Sequence, residues 1–221
     1  MCSFDFFIGA TQDNQFNLGN YQIDLFRRLW VEFRKGNQSI RLVSSNDLNI
    51  MPMRHFFDSI TPLFYDLIPQ EGRILDIGSG GGLPGLPLAI CCPEIKMTLI
   101  DSNRKKMSFV RHVVRTLSLN QISVLTDRVE NLHVEKVYQK SFDVCVARAV
   151  TSIETLVKWS APLLKINGRL ICYKGPEPDA EIDQAEDSIA SCNCLVEKVL
   201  KVKGLDKMSK MCLVIIKKEG G

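Results

Sequence analysis

The residues that most restrict the fold run from 73 to 87: Arg73-Ile74-Leu75-Asp76-Ile77-Gly78-Ser79-Gly80-Gly81-Gly82-Leu83-Pro84-Gly85-Leu86-Pro87. A short apolar run that closes on an acid, followed by glycines at four of five positions, reads as a buried strand feeding a tight turn into a helix. Glycine has no Cβ, so such a turn can adopt positive φ and let a ligand lie against bare backbone. The amides that open the next helix then point at that ligand.

The ligand class is a separate question. Gly80-x-Gly82-x-x-Gly85 also fits a dinucleotide fingerprint, and Asp101 stands near the distance expected for its ribose-binding acid. Asp76 favours a different ligand, because a carboxylate beside the first glycine repels a pyrophosphate and suits a molecule carrying an ammonium and a sulfonium. S-adenosylmethionine is such a molecule.

Composition sets the outer limits. With 221 residues, 45% hydrophobic and 24% charged, the chain can hold one α/β core and an extension. A net charge of +3 is too small to argue for nucleic-acid binding by itself, so any such function needs a local basic patch. The eight cysteines contain no Cys-x-x-Cys and read as reduced thiols, with no metal expected. The opening Met1-Cys2-Ser3-Phe4-Asp5-Phe6-Phe7 lacks a basic signal-peptide start, and no apolar run approaches the roughly 20 residues that span a bilayer. A cytoplasmic protein without membrane contact is expected.

Along the chain, Leu18, Tyr21, Leu25, Phe26, Leu29, Trp30 and Phe33 recur at helical spacing and predict an amphipathic helix ending near Gly36. Its Arg27, Arg28, Arg34 and Lys35 fit a solvated face or a nucleic-acid footprint equally well. Ser44 to Asp47 offer N-caps for further short helices, with Pro52 and Pro62 suited to first turns. There His55 and Asp58 share a face, in position to pair and fix the extension on the core. From Arg73 onward the pattern alternates. Strands are predicted at 73–77, 96–101, 122–125, 142–147 and 169–173, with helices at 103–117 and 153–164. Two final strands, 195–202 and 211–217, joined through Gly204-Leu205-Asp206-Lys207, predict an antiparallel hairpin on one edge of an otherwise parallel sheet.

In such a sheet ligands sit beyond the carboxyl ends of the strands. Those ends carry Asp76 with the glycines, Asp101, Asp127-Arg128-Val129-Glu130, Arg148 and Lys174. Arg148 and Lys174 are suited to holding a polyanionic substrate; each could also pair with a nearby acid such as Glu130, which need not exclude binding. Arg104, Arg111 and Arg115 line one side of the helix after Asp101, as a phosphate-contacting stripe or a solvated face. The fourth strand end lacks an Asp/Asn-Pro-Pro-aromatic box for amine methylation, and no Pro-Cys pair marks covalent cytosine-C5 chemistry. An acceptor needing no such help is suggested. Guanine N7 is one, since its in-plane lone pair is free at neutral pH.

Asp76-Ile-Gly-Ser-Gly-Gly-Gly-Leu-Pro-Gly85, Asp101-Ser-Asn-Arg-Lys-Lys106, Arg128-Val-Glu130, Arg148-Ala149, Lys174-Gly175 and His55-Phe-Phe-Asp58-Ser59 together resemble the bacterial 16S ribosomal RNA guanine-N7 methyltransferases, the glucose-inhibited division protein B family. The resemblance implies a Rossmann-like class I S-adenosylmethionine-dependent methyltransferase, with an N-terminal helical extension at 1–70 and the core at 71–221. It implies methyl transfer to N7 of a guanine in the 530 loop of 16S RNA; the expected partner is that RNA or the small ribosomal subunit, and a monomer is expected. Cofactor contacts are expected at Asp76, Gly78, Gly80, Gly82, Leu83, Asp101, Val129, Glu130 and Arg148, and catalytic roles at Arg148 and Lys174. Arg41-Leu42-Val43 departs from the family's usual Asn-Leu-Thr. Two other readings stay open: a noncatalytic RNA-binding protein on this fold, or a nicotinamide-dependent oxidoreductase. The latter lacks a hydride-transfer constellation, because His55, His112 and His133 lie outside the predicted strand ends.

Overall fold

The computed structural model describes residues 3–203 and 210–220. The chain opens with helices α1 (Ser3–Asp13), α2 (Asn20–Gly36) and α3 (Ser45–Met51). A π-helical turn over Pro52–Phe56, the short α4 (Phe57–Ile60) and a 3-10 turn over Thr61–Tyr65 follow. Ser44 caps α3 by accepting from the Asp47 amide at 3.2 Å, and Pro52 and Pro62 each open a turn, where a missing N–H costs nothing.

The strands are β1 (Gly72–Ile77), β2 (Ile95–Ile100), β3 (Ile122–Leu125), β4 (Phe142–Arg148), β5 (Leu164–Lys174), β6 (Cys194–Lys203) and β7 (Lys210–Lys218). Between them lie α5 (Gly85–Cys91), α6 (Arg104–Thr116), a 3-10 turn over Val129–Val134, α7 (Ile153–Ser160), α8 (Asp179–Gln184) and α9 (Glu186–Ser191). One sheet results, in the order β3-β2-β1-β4-β5-β7-β6. The first five strands are parallel, and β7 runs antiparallel to both β5 and β6. The expected hairpin therefore forms, with β7 in the interior and β6 on the edge; its turn at 204–207 lies outside the described residues.

Period-two alternation sorts the strand residues onto two faces. Ile74, Met97, Val144, Ile171 and Leu213 face a core shared with α1 to α6, while Leu75, Cys145, Leu170 and Val214 face one shared with α7 and α9. Helices switch face where the strand order reverses, between β1 and β4, which opens a crevice at their carboxyl ends. The N-terminal helices share the first core through a run of rings: Phe7 to Phe26 at 5.1 Å, Phe26 to Phe56 at 5.3 Å, and Phe33 to Phe109 of α6 at 5.3 Å.

Three elements depart from expectation. Helix α1 is not predicted by the sequence pattern; Phe4, Phe7 and Ala10 bury one face of it against α2 and the π-turn. Helix α7 stops at Ser160 rather than at residue 164, because Pro162 cannot continue it, and β5 already begins at Leu164. Helices α8 and α9 stand between β5 and β6, where no helix was expected, with Ala185 and Ile189 buried.

Candidate active site

The glycine turn after β1 is held from below and from the side. Asp76 is fully buried, and its Oδ2 accepts from the Gly85 amide at 2.9 Å, so the strand acid clasps the first residue of α5. A Cβ at Gly85 would lie 2.7 Å from that same oxygen and 2.2 Å from Leu99 Cδ2; only glycine permits the approach. Burial pushes the Asp76 carboxyl well above the usual carboxylate range, partly opposed by the Gly85 bond. From its place in the sequence this charge is expected directly against a cationic ligand. The structure instead puts it beneath the turn, where burial disfavours its charged form.

Asp101, just past β2, ties the turn from the side: Oδ2 accepts from the Gly80 amide at 2.9 Å, and Oδ1 from the Asn103 amide at 2.7 Å. Each carboxylate oxygen keeps a further lone pair for a ligand. Gly78, at φ +66°, bends the chain against Val150, whose Cγ1 would stand 2.7 Å from any Cβ there. Buried Asp76 Oδ1 and Ser79 Oγ have no hydrogen-bond partner, which leaves polar capacity at the turn.

Two pockets border this turn and a third lies beside them. One, of about 270 Å³, is lined by Gly78, Asp101, Asp127, Val129, Glu130 and Trp159. A second, of about 380 Å³, is lined by Leu42, His55, Gly80, Leu83, Lys106 and Arg148 among others, and shares Gly78, Asp101 and Val150 with the first. A third, of about 480 Å³, lies at the ends of β4 and β5 against Arg148, Ala149, Tyr173 and Lys174. The second and third share Arg148, Ala149 and Val150, so the three form one trench across the strand ends. The expected residues Gly78, Gly80, Leu83, Asp101, Val129, Glu130, Arg148 and Lys174 all border it, whereas Gly82 and Asp76 support it from outside.

The two expected cations are engaged by the protein itself. Arg148 donates to the His55 carbonyl at 3.0 Å, Ser59 Oγ at 3.1 Å and His55 Nδ1 at 2.7 Å, with Asp58 Oδ2 at 3.6 Å. Its acidic neighbour is thus Asp58, not Glu130. Lys174 donates to the Thr151 carbonyl at 2.7 Å and to Glu181 of α8 at 2.6 Å. Glu181 also accepts from the Ile153 amide at 2.8 Å, joining β5 to the start of α7. Sequence reasoning missed Glu181; the Ile182, Ala185 and Ile189 spacing marks the helical region that presents it.

His55 also departs from expectation, since the π-turn carries it to the end of β4. Burial, with Arg148 beside it, lowers its imidazole from 6.5 to about 4, so the ring is neutral at pH 7. His112 pairs with Glu32 of α2 at 2.9 Å and His133 donates to the Trp159 carbonyl at 2.8 Å. Over the glycine turn lies the 37–44 loop, in which Asn37 Oδ1 accepts from the Leu42 and Val43 amides at 2.8 and 3.0 Å. Of the basic stripes, Arg28 donates to the Thr116 carbonyl at 2.6 Å, Arg34 covers the Trp30 ring and Arg111 donates to Thr126 Oγ1 at 2.6 Å, while Arg104 and Arg115 stay exposed. Among the described residues no helix is long and apolar enough to cross a membrane.

This sheet order, a positive-φ glycine turn and an acid at the second strand end define a class I S-adenosylmethionine-dependent methyltransferase. M. jannaschii TYW2, solved in complex with AdoMet, superposes with a TM-score of 0.54 at 14% identity, over 67% of this chain and 68% of that one. TrmN from Thermus thermophilus gives 0.57 at 16% identity, over 73% of this chain and 48% of that one. These likenesses show the fold.

The family model for rRNA small subunit methyltransferase G, GidB, matches residues 22–210. Proteins named ribosomal RNA small subunit methyltransferase G are 36% identical in Brevibacillus brevis, over 89% of this chain and 82% of the relative, and 32% identical in Oceanobacillus iheyensis, over 96% and 90%. The chain belongs to this family, and is an S-adenosylmethionine-dependent rRNA methyltransferase.

Proposed function

We propose that this enzyme methylates N7 of a guanine in the 530 loop of 16S RNA, within the small ribosomal subunit or a precursor, as a cytoplasmic monomer. The observation that carries the site assignment is the position of Asp101, whose carboxylate braces Gly80 while bordering both pockets beside the glycine turn. Its remaining lone pairs suit two ribose hydroxyls, and Val129 and Glu130 border the pocket beyond it, where an adenine would lie. Gly78, Gly80 and Leu83 offer backbone and apolar surface to the rest of the cofactor; Gly82 and Asp76 hold the turn in shape. S-adenosylmethionine supplies an electrophilic methyl group when bound.

The protein's share is placement. A guanine N7 lone pair requires no base to activate it, so a target held in line with the donor suffices. Arg148 and Lys174, fixed at the ends of β4 and β5 beside Asp58 and Glu181, border the third pocket and offer it N–H donors for the electron-rich edge of a guanine or its phosphate. Incubation with labelled S-adenosylmethionine and unmodified small subunits, followed by borohydride–aniline cleavage at N7-methylguanine, tests the reading. Label at a single guanine of the 530 loop is expected; label elsewhere, or at another atom, overturns it.

A further inference from the structure

We propose that His55 is a positioning residue of the methyl-transfer site: through Nδ1 it accepts a hydrogen bond that aims Arg148 at the junction of the two larger pockets. This rests on the reading of Arg148 as part of the site. Arginine has donors only, so the 2.7 Å contact between Arg148 Nη2 and His55 Nδ1 requires a lone pair on that nitrogen. The ring proton is thereby assigned to Nε2, which is buried, without a hydrogen-bond partner, 3.6 Å from Asp47 Oδ2.

Two backbone features bear on the same contact. His55 sits in the π-helical turn, whose wider winding presents its carbonyl and its Nδ1 to one guanidinium, at 3.0 and 2.7 Å. Directly after Arg148, Ala149 adopts φ +55°, a left-handed conformation that a side chain disfavours and that surrounding contacts must hold. The charged groups facing His55 are Asp47 from α3, Arg54 from the π-turn and Arg148 from β4. Asp47 is itself fixed by Ser44 Oγ at 2.7 Å and Arg54 at 2.9 Å. A chain of fixed groups therefore runs from the α3 cap to the strand end, and the N-terminal helices form one wall of the site.

Two near-isosteric variants separate positioning from packing. In His55→Asn the side-chain oxygen can stand where Nδ1 stands, whereas in His55→Gln the amide reaches the Nε2 position. We expect H55N to keep kcat/KM within about threefold of wild type, and H55Q and H55F to lose at least about tenfold, the cost of one unmade bond to a charged donor. S-adenosylhomocysteine affinity by calorimetry and ¹⁵N imidazole shifts are read alongside, the latter expected to report the Nε2–H tautomer up to pH 8 and its loss of contact in R148A. Equal activity of H55N and H55Q, or an Nδ1–H tautomer, overturns the inference even if H55F does not fold. A wild-type protein that binds no S-adenosylhomocysteine instead overturns the reading of the site, and with it the catalytic consequence drawn here.

Discussion

Asp76 and Gly85 are nine residues apart in sequence and joined by a 2.9 Å hydrogen bond inside a fully buried contact, so the strand acid sets the start of the helix that follows the glycine turn. The bond fixes how far the turn can open. It also explains why an acid is useful where no solvent reaches it: a neutral apolar side chain would leave the Gly85 amide unpaired.

Removing the carboxyl should therefore act on stability first. Asp76→Ala is expected to cost about 1–3 kcal/mol in urea unfolding, and Asp76→Asn, which keeps an acceptor, less than half of that. Gly85→Ala forces a methyl toward Leu99 and Asp76 and should cost a similar 1–3 kcal/mol by overpacking. A Gly85→Ala protein as stable as wild type would contradict the close approach.

Asp101→Ala removes both the brace on Gly80 and the ribose acceptor. Calorimetry with S-adenosylhomocysteine should show at least about tenfold weaker binding, while Asp101→Asn, with one acceptor oxygen, falls between. Unchanged affinity in Asp101→Ala would remove Asp101 from the site.

The pH dependence of folding carries a signature of His55. In the unfolded chain its imidazole titrates near 6.5, and in the folded protein at about 4, because burial and Arg148 resist the charge. Between those values the unfolded chain binds a proton that the folded one refuses. Stability is thus complete above pH 6.5 and declines as pH falls toward 4, by up to about 3 kcal/mol from this group. Urea midpoints measured across that window should slope less in H55N; identical slopes would show that another group is responsible.

Glu181 is the counterpart on the far side of the trench. Its loss leaves the mostly buried Lys174 ammonium with only the Thr151 carbonyl and frees the Ile153 amide, so Glu181→Ala should lower stability by about 1–3 kcal/mol. Thermal shift gives the first reading. If the third pocket receives the target, methylation of small subunits should fall more than donor affinity does, and the reverse order would place Lys174 on the donor side.

The parallel strands were legible because each is an apolar run bounded by turn residues, and β3 matches its expected span residue for residue. The glycine turn was legible because its chemistry is local. What escaped the sequence was long-range partnership. Nothing near Arg148 in the chain indicates that Asp58, Ser59 and His55, some 90 residues earlier, would close around it, since that depends on how the N-terminal helices dock. Helix α1 escaped because Gly9 and the consecutive Phe6-Phe7 weaken a periodicity that packing against Phe26 and Phe56 restores. Asp76 was placed correctly at the strand end, but its burial follows from Gly85, a residue read only as part of the fingerprint.

The interior position of β7 has a consequence for how the enzyme is made. Strand β5, which ends in Lys174, pairs on one side with β4 and on the other with β7, the last of the seven strands to be synthesised. Until β7 leaves the ribosomal exit tunnel, β5 presents an open, apolar edge on the nascent chain, and Leu213, Val214 and Ile215 are missing from both layers. A chain stalled before residue 210 thus leaves β5 unpaired on that side and is a candidate for chaperone capture.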